Sequence, residues 1–220
     1  MRDLFAWGGN EKDLCITALL ALATLPAAAA SFTVQNSGGA AEGSIDPNWL
    51  LSGGTAYVTI DGQFPFPPWL ANSVSASWIS PHSSYASASD YEAVGPYIYS
   101  TTFDLTGLNP GTATLSFVVA DDDALTDVRL NGVSQGITHD SLSAFSSLFT
   151  INSDFVAGIN TIEFVTNNGG SSPTPTGLRG EFSSVSADLV SEVPEPSSIA
   201  LLGFGTILLF SRRFRKTNKR

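Results

Sequence analysis

Between Thr112 and Ala120 the chain reads "TATLSFVVA", with Ala113, Leu115, Phe117 and Val119 at every second position. A period of two puts these four side chains on one face of an extended strand, whereas a helix would need apolar residues three and four apart. Comparable short runs recur, rich in β-branched and aromatic residues and bounded by Gly, Asn, Asp or Pro. They are "AYVTIDG" from Ala56, "SASWIS" from Ser75, "YIYSTTFDLTGLNPG" from Tyr97, "DVRLNGVSQG" with Val128 and Leu130, "SSLFTI", "GINTIEFVTNNGG" and "GLRGEFSSVSADL". In the sixth of these, Ile159, Thr161, Glu163 and Val165 alternate with Asn160, Ile162, Phe164 and Thr166. Asn131-Gly132 is a hairpin signal, because a two-residue turn of the primed type needs positive φ at both positions. No helical stripe of useful length lies between Ser31 and Val190. About eight strands over about 160 residues predict an all-β fold, a two-sheet β-sandwich or jelly roll.

Charge excludes one class of partner. From Ser31 to Val190 the basic residues are Arg129 and Arg179, set against 15 acidic ones, a net of −13. Nothing in this body can neutralise phosphates, so nucleic acid is not expected as a partner. The single cysteine, Cys15, precedes the expected leader cleavage, so a disulfide framework, a thiolate metal site and a cysteine nucleophile are all excluded from the mature body. The two histidines, His82 and His139, are too few for a histidine-based zinc site and read as lone exposed residues.

Both ends differ from the body. "LCITALLALATL" (Leu14–Leu25) is an uninterrupted apolar run followed by "PAAAAS", which reads as a secretory h-region with small residues at the cleavage site. Cleavage is expected after Ala30, within one to three residues. The preceding segment is unusual for a leader, since Asp3, Glu11 and Asp13 stand beside Arg2 and Lys12. At the other end, "IALLGFGTILLF" (Ile199–Phe210) is 12 apolar residues. As a helix it would span roughly 18 Å, short of the about 30 Å of a bilayer core. Arg212, Arg213, Arg215 and Lys216 follow it as a stop-transfer cluster that would keep the C-terminus in the cytoplasm. Pro194 and Pro196 hold the preceding chain extended around Glu195, a form that a processing enzyme's groove can bind. The expected division is a signal peptide over 1–30, a β-sandwich over 31–190 and a sorting segment over 191–220 that includes a short transmembrane helix.

The order Val193-Pro194-Glu195-Pro196-Ser197, a Leu/Gly-rich span with Gly203 and Gly205, then Arg212-Arg213-Phe214-Arg215-Lys216 resembles the PEP-CTERM sorting signal of bacterial exported proteins. The resemblance implies recognition near the Pro-Glu-Pro by exosortase, a membrane-embedded cysteine transpeptidase. It also implies a bacterium that makes exopolysaccharide, and a route from inner-membrane tether to cell surface or extracellular matrix. Such tails also carry the label of an ice-binding protein C-terminal domain, which concerns the tail alone. Ice binding by the body would need a flat, regular threonine array, and "TATLSF" and "STTF" are too short and irregular to supply one.

A second resemblance covers Tyr97 to Phe182. Phe103-Asp104-Leu105, Asp121-Asp122-Asp123, Asn131-Gly132, Ala157-Gly158-Ile159-Asn160 and Pro175-Thr176-Gly177-Leu178-Arg179 look like the galactose-binding-like jelly roll, a fold shared by many carbohydrate-binding modules. Fold does not fix function, so any site rests on particular residues. Asp121, Asp122 and Asp123, crowded on one loop, suit Ca²⁺, which takes six to eight oxygens; the alternative is a solvated turn in which Asp satisfies its own backbone. Trp49 and Trp69 are candidates for stacking on sugar rings, against core packing as the other reading, while Trp78 alternates within a strand and reads as core. The chain has no G-x-S-x-G elbow, no H-E-x-x-H and no phosphate loop. The leading expectation is a non-enzymatic surface or matrix protein; the alternative is a carbohydrate-binding module acting on exopolysaccharide.

Overall fold

The computed structural model describes residues 28–190. The apolar leader run, the Pro-Glu-Pro segment from Val193 to Ser197, the short apolar span and the basic cluster lie outside the described residues.

Among these residues, eleven strands form two antiparallel sheets. They are β1 (Ala29–Ala30), β2 (Leu50–Leu51), β3 (Tyr57–Val58), β4 (Ile79–Ser80), β5 (Gly95–Asp104), β6 (Thr114–Asp122), β7 (Ala124–Leu130), β8 (Val133–Ser134), β9 (Phe149–Ile151), β10 (Ile159–Asn168) and β11 (Gly177–Asp188). One sheet runs β3-β4-β11-β6-β9, with β1 also paired to β11; the other runs β2-β5-β10-β7-β8. Two single turns of 3₁₀-helix, Ala88–Asp90 and Pro110–Thr112, are the helical elements among the described residues.

The alternation seen in the sequence becomes the core. Ala113, Leu115, Phe117 and Val119 all point inward from β6 and its approach. From β10 the inward set is Asn160, Ile162, Phe164 and Thr166. The two faces meet where the rings of Phe117 and Phe164 cross at 5.3 Å and 81°, an edge-to-face pairing. Trp49, just before β2, fills the same layer between Phe164 (5.6 Å) and Phe182 (6.4 Å).

Turn chemistry sets the connections. Asn131 and Gly132 have φ of 52° and 80°, and they close the hairpin from β7 to β8. The Asn131 side chain also donates to the Asp154 carbonyl and the Asn160 side chain, both at 2.8 Å, and accepts from the Thr161 amide at 3.0 Å. The run "SASWIS" forms only the two-residue β4, because the residues before it are drawn elsewhere. The Ser77 amide donates to Ser37, and Ser73 to Ala76 closes a local loop.

The long strands share one polarity of ends. β1 pairs Ala29 with Asp188 and Ala30 with Ala187, and the Leu189 amide donates to the Ala28 carbonyl at 3.0 Å. The first and last described segments are therefore neighbours at one end of the sandwich, beside the turn at Gly107. The ladder begins two residues before Ser31, where the sequence places the start of the body. At the opposite end lie Asp122, Gly95, Asn168 and Gly177, the other ends of the same four long strands.

Candidate functional site

Three features of the sandwich could carry a function: the aspartate crossover, the aromatic end and a groove on one sheet.

The chain leaves one sheet at Asp122 and enters the other at Ala124, so Asp121-Asp122-Asp123 is the crossover between them. Each carboxylate meets its own backbone or side-chain donors. Asp121 is 0% exposed. Its Oδ1 meets His139 Nδ1 at 2.5 Å and its Oδ2 accepts from the Leu125 amide at 2.6 Å. Burial pushes this carboxyl up to about 6, with the His139 hydrogen bond pulling the other way. Asp122 is 5% exposed and its Oδ2 accepts from Trp69 Nε1 at 2.8 Å. Burial, then the hydrogen bond shared with Asp123, pushes it up to about 8, which favours the protonated form. Asp123 turns to the Gly169 amide, which donates to its Oδ2 at 2.7 Å.

The Ca²⁺ expectation for Asp121, Asp122 and Asp123 is not met by this geometry. Asp121 is taken up by His139 and the Leu125 amide, and Asp122 by Trp69 and by the hydrogen bond it shares with Asp123. Among the described residues no group of three or more His, Cys, Asp or Glu is placed to hold a metal ion. His139, read from sequence as a lone exposed residue, is the partner of buried Asp121. His82 pairs with Glu92 at 3.1 Å.

The tryptophans are corrected too. Trp49 is 1% exposed and Trp69 is 3% exposed, so neither ring offers a face to a sugar. Trp49 Nε1 donates to the Gln35 carbonyl at 3.2 Å. Trp69 stacks on Trp78 at 4.2 Å and 27°, with Phe66 and Tyr85 edge-on at 5.6 and 6.1 Å. This second apolar cluster caps the aspartate end of the sandwich. Its tightness is measured at Gly177, where an added Cβ would stand 2.6 Å from Trp69 Cη2 and 3.1 Å from the Ile79 carbonyl. Neither neighbour can move aside. Gly177→Ala is therefore expected to destabilise the fold by about 1–3 kcal/mol, read as a lowered urea midpoint; an unchanged midpoint would refute the packing.

The third feature was invisible in the sequence. A groove of about 380 Å³ lies against the five-stranded sheet, lined by Gln35, Pro47, Asn48, Leu50, Ser100, Thr101, Thr102 and Thr161. Its floor is the outward face of β5 and β10, where Thr102 stands directly across from Thr161 and Ser100 from Glu163. Its wall is the loop leading into β2. That loop is held by Asp46, whose carboxylate accepts from the amides of Gly38 (2.7 Å), Gly39 (3.1 Å) and Asn48 (2.8 Å). Leu50 is 70% exposed at its rim.

No curated protein matches this chain. Among solved structures, a CBM35 from Paenibacillus barcinonensis aligns at a TM-score of 0.37 and 14% identity, over 64% of this chain and 95% of its own. Among the described residues no helix is long and apolar enough to cross a membrane. The sequence of the C-terminal segment gives the clearest match: residues 192–216 fit the PEP-CTERM protein-sorting motif, so the β-sandwich is followed directly by a sorting signal.

Proposed function

We propose that this chain is an exported, non-enzymatic cell-surface or extracellular-matrix protein whose sorting segment is processed by an exosortase-type membrane transpeptidase. The observation that carries the reading is the sorting motif at 192–216, beginning two residues after the last described residue, Val190. The roles divide by segment. Residues 1–30 direct export and the body over 31–190 is the delivered cargo. Over 191–220, Val193, Pro194, Glu195, Pro196 and Ser197 form the processing motif. Arg212, Arg213, Arg215 and Lys216 stop transfer and hold the chain at the inner membrane until release. The delivered body meets polysaccharide outside the cell; its acidity argues against nucleic acid.

Intact mass of the protein recovered from its own host, fractionated into inner membrane, surface and medium, tests this. The surface form is expected to end between Pro194 and Ser197 and to lack the basic cluster. Retention of all material in the inner membrane with Arg220 in place would sink the proposal. The same spectrum reads the leader. A chain starting at Ser31 lacks the β1 residues, whereas one starting at Ala28 or earlier keeps them.

A further inference from the structure

We propose that the groove between the β2 loop and the outward face of β5 and β10 binds a neutral, hydroxyl-rich polysaccharide chain. The inference deepens the proposed surface role and rests on it for the ligand's class.

Four observations support it. First, the groove's polar side chains are unspent. Gln35, Asn48, Ser100, Thr102 and Thr161 form no side-chain hydrogen bond to another described residue. Where Gln35, Asn48 and Thr161 take part in one, the atom is a backbone carbonyl or amide. Nearby hydroxyls behave otherwise, such as Thr106, which donates to Asp104 at 2.7 Å. Hydroxyl and amide groups both donate and accept, which suits the hydroxyls of a sugar ring.

Second, the site is preformed. Asp46 fixes the wall through three amides, and Trp49 Nε1 fixes the Gln35 backbone, so little ordering accompanies binding. Third, Leu50 and Pro47 add an apolar strip beside the hydroxyl row, which suits the C–H face of a sugar. The volume of 380 Å³ falls at the small end of the range of about 300–1,000 Å³ usual for ligand sites.

The fourth observation is charge, which selects neutral polymers over acidic ones. No Lys or Arg lines the groove. The Arg129 of this face lies one strand further on, opposite Glu163, and its Nε bonds Asp127 at 3.1 Å. Asp127 also accepts from Ser134 at 2.7 Å. That cation is engaged by its own neighbours, and a uronate chain in the groove would meet Glu163 and the field of a body of net charge −13.

The test is native affinity electrophoresis of the full chain, solubilised from its host, through gels containing a β-glucan, a galactan or a xylan, and in parallel polygalacturonate or alginate. Retardation is expected with at least one neutral polymer. It is expected to weaken about tenfold or more in Ser100→Ala/Thr102→Ala/Thr161→Ala, which removes three hydroxyls worth about 0.5–1.5 kcal/mol each, and to weaken also in Leu50→Asp. Both variants change exposed or half-buried surface positions, and an unshifted thermal midpoint checks their fold. No retardation by any neutral polymer, retardation by acidic polymers only, or retardation unchanged in both folded variants would each overturn the assignment. The mass measurement above reads tail processing alone, so the groove and the sorting route can fail separately.

Discussion

Replacing Trp69 with alanine is expected to lower the stability of the body by about 3–5 kcal/mol, the range for emptying a buried aromatic site. For a domain of this size that is a fall in thermal midpoint of roughly 6–20 °C. The ring is enclosed by Trp78, Phe66 and Tyr85, and its N–H is the hydrogen-bond donor to the Asp122 carboxyl. Trp69→Phe separates the two contributions. It keeps most of the apolar ring and leaves the buried carboxyl one donor short, at a cost of about 1–3 kcal/mol. Urea denaturation of both variants checks the order. Equal midpoints for wild type and Trp69→Ala would mean that the ring is not in the core. The result also bears on glycan assays, because loss of binding in Trp69→Ala would report on the fold and not on a sugar-stacking face.

The body is expected to become less stable as pH rises from about 4 to about 8, the reverse of ordinary acid denaturation. Asp121 and Asp122 hold their protons up to about 6 and about 8 in the folded chain, chiefly because burial disfavours the charged form. An unfolded aspartate releases its proton near 3.9. Between those values the folded state binds more protons than the unfolded state, so the free energy of unfolding falls with pH. The contribution is fully present below the unfolded value, is lost through each folded value in turn, and levels off above about 8. Below pH 4 an opposite slope begins. Asp104 and Asp154 sit below their ordinary values through hydrogen bonds from Thr106 and from Ser153 and Gln135, and their contribution is lost on protonation. Maximum stability therefore lies in mildly acidic solution. Asp122→Asn keeps an acceptor for Trp69 and puts an N–H₂ donor where the shared proton stood. It is expected to flatten the slope between pH 6 and 8 and to raise stability at pH 9 by a few kcal/mol. Denaturation midpoints measured from pH 4 to 9 decide this, and a midpoint that stays level or climbs between pH 5 and 8.5 contradicts it.

How far the sequence carried can be judged on particular residues. The inward row of β6 and the Asn131-Gly132 hairpin were legible because both signals are local: a period of two, and a pair of residues that tolerate positive φ. The all-β sandwich followed from repeating those signals. The two-residue strands β2, β3 and β4 were overestimated or missed, because loops compete for their backbone groups through partners such as Ser37 that are distant in sequence. Trp69 was a candidate for stacking on a sugar ring, and it is buried in a loop between strands. What the sequence could not reveal is that Asp122, 53 residues on, draws its indole into the interior. The aspartates failed in the opposite way: adjacency in sequence suggested three free ligands, while in the fold Asp121 is engaged by His139 and Asp122 by Trp69 and Asp123. The groove had no local signal at all, since its wall comes from positions 35–50 and its floor from two strands 60 residues apart.

The long ladder between β11 and β6 has a mechanical consequence. A chain held by its C-terminal tail takes any load first at Asp188, the last residue of β11. β6 flanks that strand along most of its length, and β4 pairs with it on the other side near Leu178. Tension along its axis acts across the rungs of the β6 ladder together, in shear, and does not peel them one by one from a free border. The strand nearest the sorting segment is thus a resistant place to pull, a useful property for a body held at a membrane by that segment before processing.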